Sequence, residues 1–290
     1  MKILVTGATG KLGSKVVDSL LKAIPASDLA VSVRNPEKAE GLRARGVEVR
    51  QGDFDQPETL DHAFKGIDRL LIISADGDNE TRIRQHTDAV NAAARAGVKF
   101  IAYTSLANAS ESKNLMAPPH VATEAAIIKT GIPYSFLRNN WYLENEIGSI
   151  QGALAGAPWV TTAGEGKVGW ALQQDYADAA TAVLVGNGHE NTVYELSGPL
   201  LTQEELASAL GTVLGKDVPV QQVSDEKYAE IMKGLGLPDF VIPIVVGIQE
   251  SIRNGSLAVE SNDFEKVLGR PVTPINEALA QLVNGITQTK

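Results

Sequence analysis

Met1-Lys2-Ile3-Leu4-Val5-Thr6-Gly7-Ala8-Thr9-Gly10-Lys11-Leu12-Gly13 opens the chain and sets its architecture. The run to Thr6 is short, apolar and β-branched, so it reads as a strand; Leu12, Val16, Leu20 and Ile24 then recur at helical spacing. Between them the glycines make a turn that delivers the chain from strand into helix. Such a turn aims free N–H groups and the positive end of the helix dipole at an anion, and glycines let the backbone approach it without a Cβ in the way. Three glycines spaced G-x-x-G-x-x-G also suit an ordinary strand-to-helix turn. The segment Leu29-Ala30-Val31-Ser32-Val33 favours the anion site, because it supplies a second strand and closes a βαβ unit of ordinary length. In that setting the anion is the pyrophosphate of a dinucleotide.

Composition bounds the remainder. With 290 residues, 43% hydrophobic and 21% charged, the chain suffices for one large α/β domain, or for one plus a smaller lobe. A net charge of −9 argues against a nucleic-acid partner, although one local phosphate site remains compatible with it. The absence of cysteine excludes disulfides, thiolate metal sites and thiol nucleophiles. The apolar run after Lys2 is far shorter than a signal-peptide core, and Phe240 to Ile248 is too short to span a bilayer. The expectation is a cytoplasmic protein without membrane insertion, with a homo-oligomer left open.

Further along, short apolar strands alternate with helical patterns, which predicts an α/β, Rossmann-type doubly wound parallel sheet. A helix is expected from about Pro36, a strand over Val47–Gln51, a helix from Pro57 to Phe64, and a strand over Leu70–Ile73 buried on both faces. An amphipathic helix from about Asn79 to Ala96 presents Ile83, Val90 and Ala94 on one side and ends at Gly97. Phe100–Thr104 and Tyr134–Leu137 are further strands, and Pro118-Pro119 fits the first turn of a helix running to Lys129. Past Arg138 the alternation fails. Trp159–Thr162 and Val168–Ala171 flank Ala163-Gly164-Glu165-Gly166-Lys167 as a hairpin, a helix follows from Asp175, Val193–Leu196 returns to the main sheet, and the chain from Thr202 is mostly helical. The division expected is a dinucleotide-binding domain over 1–140, its sheet completed by about 172–198. A smaller, mostly helical substrate-binding lobe would take 141–171 and 199–290.

In an open sheet of this kind, ligands sit at the carboxyl ends of the strands. A site that reads NAD carries an acid about twenty residues past the glycines, at the end of the second strand, to hold the ribose 2′-hydroxyl. Here that place is taken by Arg34. A guanidinium suits a 2′-phosphate, so the cofactor expected is NADPH (NADP).

With these features the chain resembles the NmrA-like group of atypical short-chain dehydrogenase/reductases, and within it the flavin-free quinone oxidoreductases and triphenylmethane reductases. The resemblance is carried by Thr6–Gly13, Val33-Arg34-Asn35-Pro36, Phe100–Ser105, His120-Val121-Ala122-Thr123-Glu124 and Leu137-Arg138-Asn139-Asn140-Trp141-Tyr142. It implies that Gly7, Thr9, Gly10, Lys11, Leu12, Gly13 and Arg34 hold the phosphates and adenosine end, with Asp53 and Phe54 near the adenine. It further implies Ile73, Ser74, Thr104 and Ser105 along the nicotinamide, and Asn139, Trp141 and Tyr142 as a substrate wall.

One departure from the wider superfamily limits the chemistry. Ordinary short-chain reductases protonate the nascent alkoxide with a tyrosine whose pKa a lysine four residues on lowers. None of Tyr103, Tyr134, Tyr142, Tyr176, Tyr194 and Tyr228 is followed by lysine at that spacing; the helix where the pair is expected carries His120 and Glu124 instead. That disfavours reduction of a simple ketone. It fits a quinone, whose hydride adduct is a weakly basic phenolate, or a cationic triarylmethane dye, which takes up no proton. His120 is the candidate catalytic proton or hydrogen-bond donor, with a packing role as its alternative. A metal is not expected at His120 and Glu124, because no third ligand accompanies them. The expectation is thus an NADPH-dependent quinone oxidoreductase; a non-catalytic NADP-binding regulator is the other reading.

Replacing Arg34 by alanine removes the charge-assisted pair expected at the 2′-phosphate. NADPH affinity should fall by about 1.5–3 kcal/mol, roughly ten- to a hundredfold, while NADH affinity stays nearly unchanged, as titration calorimetry with both cofactors would show. Equal losses would sink the assignment.

Overall fold

The structure, a computed structural model, describes residues 1–288. In chain order, the strands are β1 (Ile3–Thr6), β2 (Leu29–Val33), β3 (Glu48–Gln51), β4 (Arg69–Ile72), β5 (Phe100–Leu106), β6 (Tyr134–Asn139), β7 (Trp159–Thr161), β8 (Lys167–Gly169), β9 (Thr192–Leu196), β10 (Leu200–Thr202) and β11 (Val220–Gln222). The helices are α1 (Lys11–Ala23), α2 (Glu40–Ala44), α3 (Glu58–Phe64), α4 (Asn79–Ala96), α5 (Ala117–Thr130), α6 (Ile147–Leu154), α7 (Gln173–Val185), α8 (Gln203–Leu214), α9 (Asp225–Gly234), α10 (Ile242–Arg253), α11 (Asp263–Leu268) and α12 (Ile275–Gln288).

Seven strands form one parallel sheet in the order β3-β2-β1-β4-β5-β6-β9. The reversal of winding lies between β1 and β4, where a doubly wound sheet opens a crevice at its carboxyl edge. Alternation along β1 explains why both faces are covered. Ile3 and Val5 join a core with α1, α7 and α11, whereas Leu4 joins one with α3, α4 and α5. A third core, built on Trp159, Trp170, Leu206 and Leu279, holds the remaining elements together. Gly97 ends α4 at φ +73° as the sequence predicts, and at its start Asp78 caps it by accepting from the Thr81 N–H.

Three expectations need correction. The helix expected from Pro36 is a 3-10 turn over Pro36–Ala39 followed by the five-residue α2. The hairpin does not form: β7 pairs in parallel with β11, and β8 pairs antiparallel with β10. The chain does turn at Ala163, whose carbonyl accepts from the Gly166 N–H at 3.0 Å. A Cβ at Gly166 would overlap the Ile252 carbonyl, however, so the turn is wedged against α10. From α10, Gln249 accepts from the Thr161 hydroxyl and the Thr162 N–H, and Arg253 donates to the Thr162 carbonyl. Held this way, the two arms diverge to separate partners.

The third correction bears on the site. The buried face of α4 is rotated from the apolar side read in the sequence, and carries Arg82, Gln85, His86, Ala89, Val90, Ala92 and Ala93, while Ala94 is exposed. Arg82 and His86 reach Ser74 and Ala75 just past β4, where strand-end groups need partners, and Gln85 reaches Asp55 past β3.

Candidate active site

The turn after β1 has the form of an anion cradle. Gly7 lies at φ +61°, the left-handed region, and its carbonyl accepts from the Gly10 N–H at 2.9 Å. A Cβ at Gly13 would overlap that same carbonyl, so strand and helix can approach this closely only with glycine there. No side chain caps the start of α1, and its first turn holds no acidic residue. The leading N–H groups and the exposed Lys11 therefore face outward for an anion. Thr9 and Gly10 are exposed beside them, while Leu12 is buried and anchors the helix below.

At the end of β2, Arg34 is exposed. The buried Ser32 hydroxyl just before it has no partner, and a Cβ at Gly52 would overlap that hydroxyl where it now stands. Asp53 accepts from the Asp55 N–H at 3.0 Å, and Asp55 is tied to Arg84 and Gln85 of α4. Phe54 sets its ring edge-on to His86, 6.3 Å between centroids. These residues line the β2–β3 end of the crevice.

Hydroxyls stitch the middle strand ends together. The Thr6 hydroxyl accepts from the Ile73 N–H at 3.0 Å, and the Thr104 hydroxyl from the Ser74 N–H at 2.9 Å. Ile73 and Ser74 are thereby fixed next to the glycine turn, with the Ile73 side chain 3.6 Å from where a Gly7 Cβ would stand. Ser105 faces away from this row: its hydroxyl donates to Glu124.

His120 and Glu124 do not act as a pair. Glu124 accepts from both sides of the Arg138 guanidinium, at 2.9 and 2.7 Å, and Arg138 also binds Glu195 at 3.0 Å. This charged triad locks α5 to β6 and β9, and the two carboxylates hold the Arg138 pKa above its usual range. His120, 7% exposed, belongs to a different set of contacts. Its Nε2 lies 3.0 Å from an Arg82 guanidinium nitrogen and its Nδ1 3.0 Å from the Tyr103 hydroxyl. A guanidinium only donates, so Nε2 accepts, and the ring's single proton sits on Nδ1 and points to Tyr103.

That geometry favours the packing alternative for His120. Burial, reinforced by the Arg82 charge, pulls its pKa to about 3, so near neutrality the ring is the neutral imidazole, with its one proton on Nδ1 turned to Tyr103. His86 behaves alike: burial and Arg82 lower it to about 4. Its Nε2 accepts from the Ala75 N–H at 2.9 Å, and its Nδ1–H points to the Thr123 hydroxyl at 2.9 Å. Burial pushes Tyr103 up to about 12. Arg82, His86 and Tyr103 were not among the expected site residues; for Arg82 and His86 the available signal was a polar i, i+3, i+4 set with Gln85 on one face of α4.

On the far wall, Asn139 donates to the Tyr142 hydroxyl at 3.0 Å, and its own buried carbonyl oxygen has no partner. Tyr142 stands edge-on to Tyr176, 5.0 Å between centroids, and burial raises it to about 12. The Trp141 and Trp170 indoles both donate to Glu146, at 3.2 and 3.1 Å, which fixes the angle of the Trp141 ring. Among the described residues no cluster of histidine and carboxylate side chains could hold a metal, and no helix is long and apolar enough to cross a membrane.

The sequence profile of the NmrA-like family matches residues 1–267. The chain belongs to the NmrA-like family. It is 41% identical to quinone oxidoreductase 2 of Escherichia coli K12 over 283 residues, covering 97% of this chain and 99% of that protein. Two solved structures superpose along nearly the whole of this NmrA-like chain. The triphenylmethane reductase of Citrobacter sp., complexed with NADP(H), matches at 42% identity and a TM-score of 0.94, covering 97% of this chain and all of that one. The E. coli NADPH-dependent quinone oxidoreductase, complexed with NADPH, matches at 41% identity and a TM-score of 0.93, with the same coverage.

Two histidines held neutral make stability depend on acid. Their folded-state pKa values lie below the ordinary 6.5, so the unfolded chain takes up protons that the native state refuses. Stability is full above about pH 6.5 and falls as pH drops toward 4, by on the order of 1–2 kcal/mol per histidine at pH 5. Urea titrations between pH 7.5 and 5 should show this slope, and His86→Gln should flatten it. A flat profile in the unaltered protein would contradict the neutral assignment.

Proposed function

We propose that this protein is an NADPH-dependent oxidoreductase that passes hydride, without flavin, to a quinone or a similar aromatic acceptor. The observation that carries the reading is the uncapped glycine turn with Arg34 at the next strand end, in a chain that aligns almost end to end with NADPH-dependent relatives. The residues fit the cofactor: N–H groups and Lys11 for the pyrophosphate, Arg34 for the 2′-phosphate, and Asp53 and Phe54 beside the adenine. Ile73, Ser74 and Thr104 lie where the nicotinamide would rest, while Ser105 supports the site through Glu124. When bound, the cofactor supplies the hydride.

The chain's own part is to orient the acceptor and exclude water. Trp141, its indole fixed by Glu146, and Tyr142, held by Asn139, offer aromatic surface on the acceptor side. With His120 neutral and its N–H turned to Tyr103, this reading assigns it no proton transfer to the acceptor. A quinone tolerates this because its phenolate can leave and take a proton from water. A simple ketone would not, since its alkoxide is too basic to form unassisted. A small-molecule acceptor and a cytoplasmic setting complete the reading.

The test is anaerobic rapid mixing of flavin-free, NADPH-loaded protein with a benzoquinone. The expected result is loss of the NADPH absorbance at a rate proportional to protein, with no added flavin. NADPH that binds but is not oxidised would overturn the enzyme reading in favour of a cofactor-binding regulator. Oxidation that requires added flavin would overturn direct transfer.

A further inference from the structure

Arg82, on the first turns of α4, is 7% exposed, yet among the described residues it makes no ion pair. One of its terminal nitrogens donates to the Ser74 hydroxyl at 2.8 Å and to His120 Nε2 at 3.0 Å, and its buried Nε has no partner. The other deeply placed charges differ. Arg138 is matched by two carboxylates, and Arg69, also without an ion pair, donates to the carbonyls of Val183, Leu184 and Gly186. The groups packed around Arg82 are neutral at working pH: His86, His120 and Tyr103 are each shifted away from their charged forms. Its negative neighbour is Asp76, exposed in the loop beyond Ser74 and beyond ion-pair distance. A buried cation left this way is costly unless an anion arrives to meet it.

Its direction is set by Ser74, whose N–H is held by Thr104 at the carboxyl edge between β4 and β5. We propose that Arg82, acting through the Ser74 hydroxyl, is the fixed positive charge that stabilises the anion formed when the acceptor takes up hydride. The inference rests on the functional reading above. In the step concerned, hydride carries two electrons from the reduced nicotinamide to the neutral quinone, which becomes a hydroquinone monoanion; that anion later takes one proton from water. Arg82 transfers nothing. It is a positioning residue that supplies, by charge, what a tyrosine and lysine supply by proton in ordinary short-chain reductases, and with neutral histidines around it no carboxylate lies within ion-pair distance.

A nitrophenol, whose phenolate is coloured, reports the effect without turnover. Bound to the NADP-loaded protein, it should ionise about one pH unit or more below its value in water, as expected beside an opposite charge. Arg82→Met should abolish that shift, Arg82→Lys should keep most of it, and both should bind NADPH as the unaltered protein does. In steady state, kcat/KM for a neutral benzoquinone should fall about ten- to a hundredfold in Arg82→Met. An equal nitrophenol shift in Arg82→Met and the unaltered protein would overturn the proposal, while quinone turnover by the unaltered protein would leave the functional reading standing. No quinone turnover by the unaltered protein would sink both.

Discussion

The contact on which the structure depends is the approach of α1 to β1, where the α-carbon of Gly13 sits so close to the Gly7 carbonyl that no side chain fits between them. It fixes where α1 begins, and hence where its unpaired N–H groups point. It also holds the Gly7 turn against Ile73, so the ends of β1 and β4, the strands flanking the switch point, are set by one packing event. The hydroxyls of Thr6 and Thr104 extend that registration strand by strand to Ser74. A crevice tied together in this way has its strand ends fixed by contacts within the protein, which is what electrostatic groups need to act without reorganisation.

Two polar systems flank the crevice, and their contrast carries the functional argument. Arg138 is bracketed by the carboxylates of Glu124 and Glu195, and the three tie α5, β6 and β9 together. That is a structural use of charge: removing any one member would leave the others buried and unmatched. Arg82 bonds to Ser74 and His120, His120 to Tyr103, and His86 to Thr123, a polar set with one charge and no ion pair among the described residues. Packing alone would be served as well by apolar side chains, and a net positive charge at the strand ends has a use where negative charge develops.

Much of this was legible in the sequence, for reasons that are local. The apolar run into the glycine turn and the Gly97 stop act over a few residues, and each appears where its chemistry puts it. The hairpin was misread because its glycine-containing turn does form, but Gln249 and Arg253, nearly ninety residues on, decide where its arms go. His120 was singled out by residue type and helix position, whereas its protonation is decided by burial and by Arg82 on another helix. Arg82 itself reads in the sequence as one more charge on an amphipathic helix. Only the turn of α4 toward the strand ends, set by its packing on α3 and α5, makes it a buried cation.

The central claim is that this crevice passes hydride straight from the nicotinamide to the acceptor. Single-turnover oxidation of NADPH deuterated at one or the other face of C4 tests it directly, with flavin-free protein and a benzoquinone. The account predicts a primary isotope effect on quinone reduction with one epimer and none with the other, because a rigid crevice presents a single face. Identical rates for both epimers and for unlabelled cofactor, under conditions where chemistry limits the rate, would contradict it.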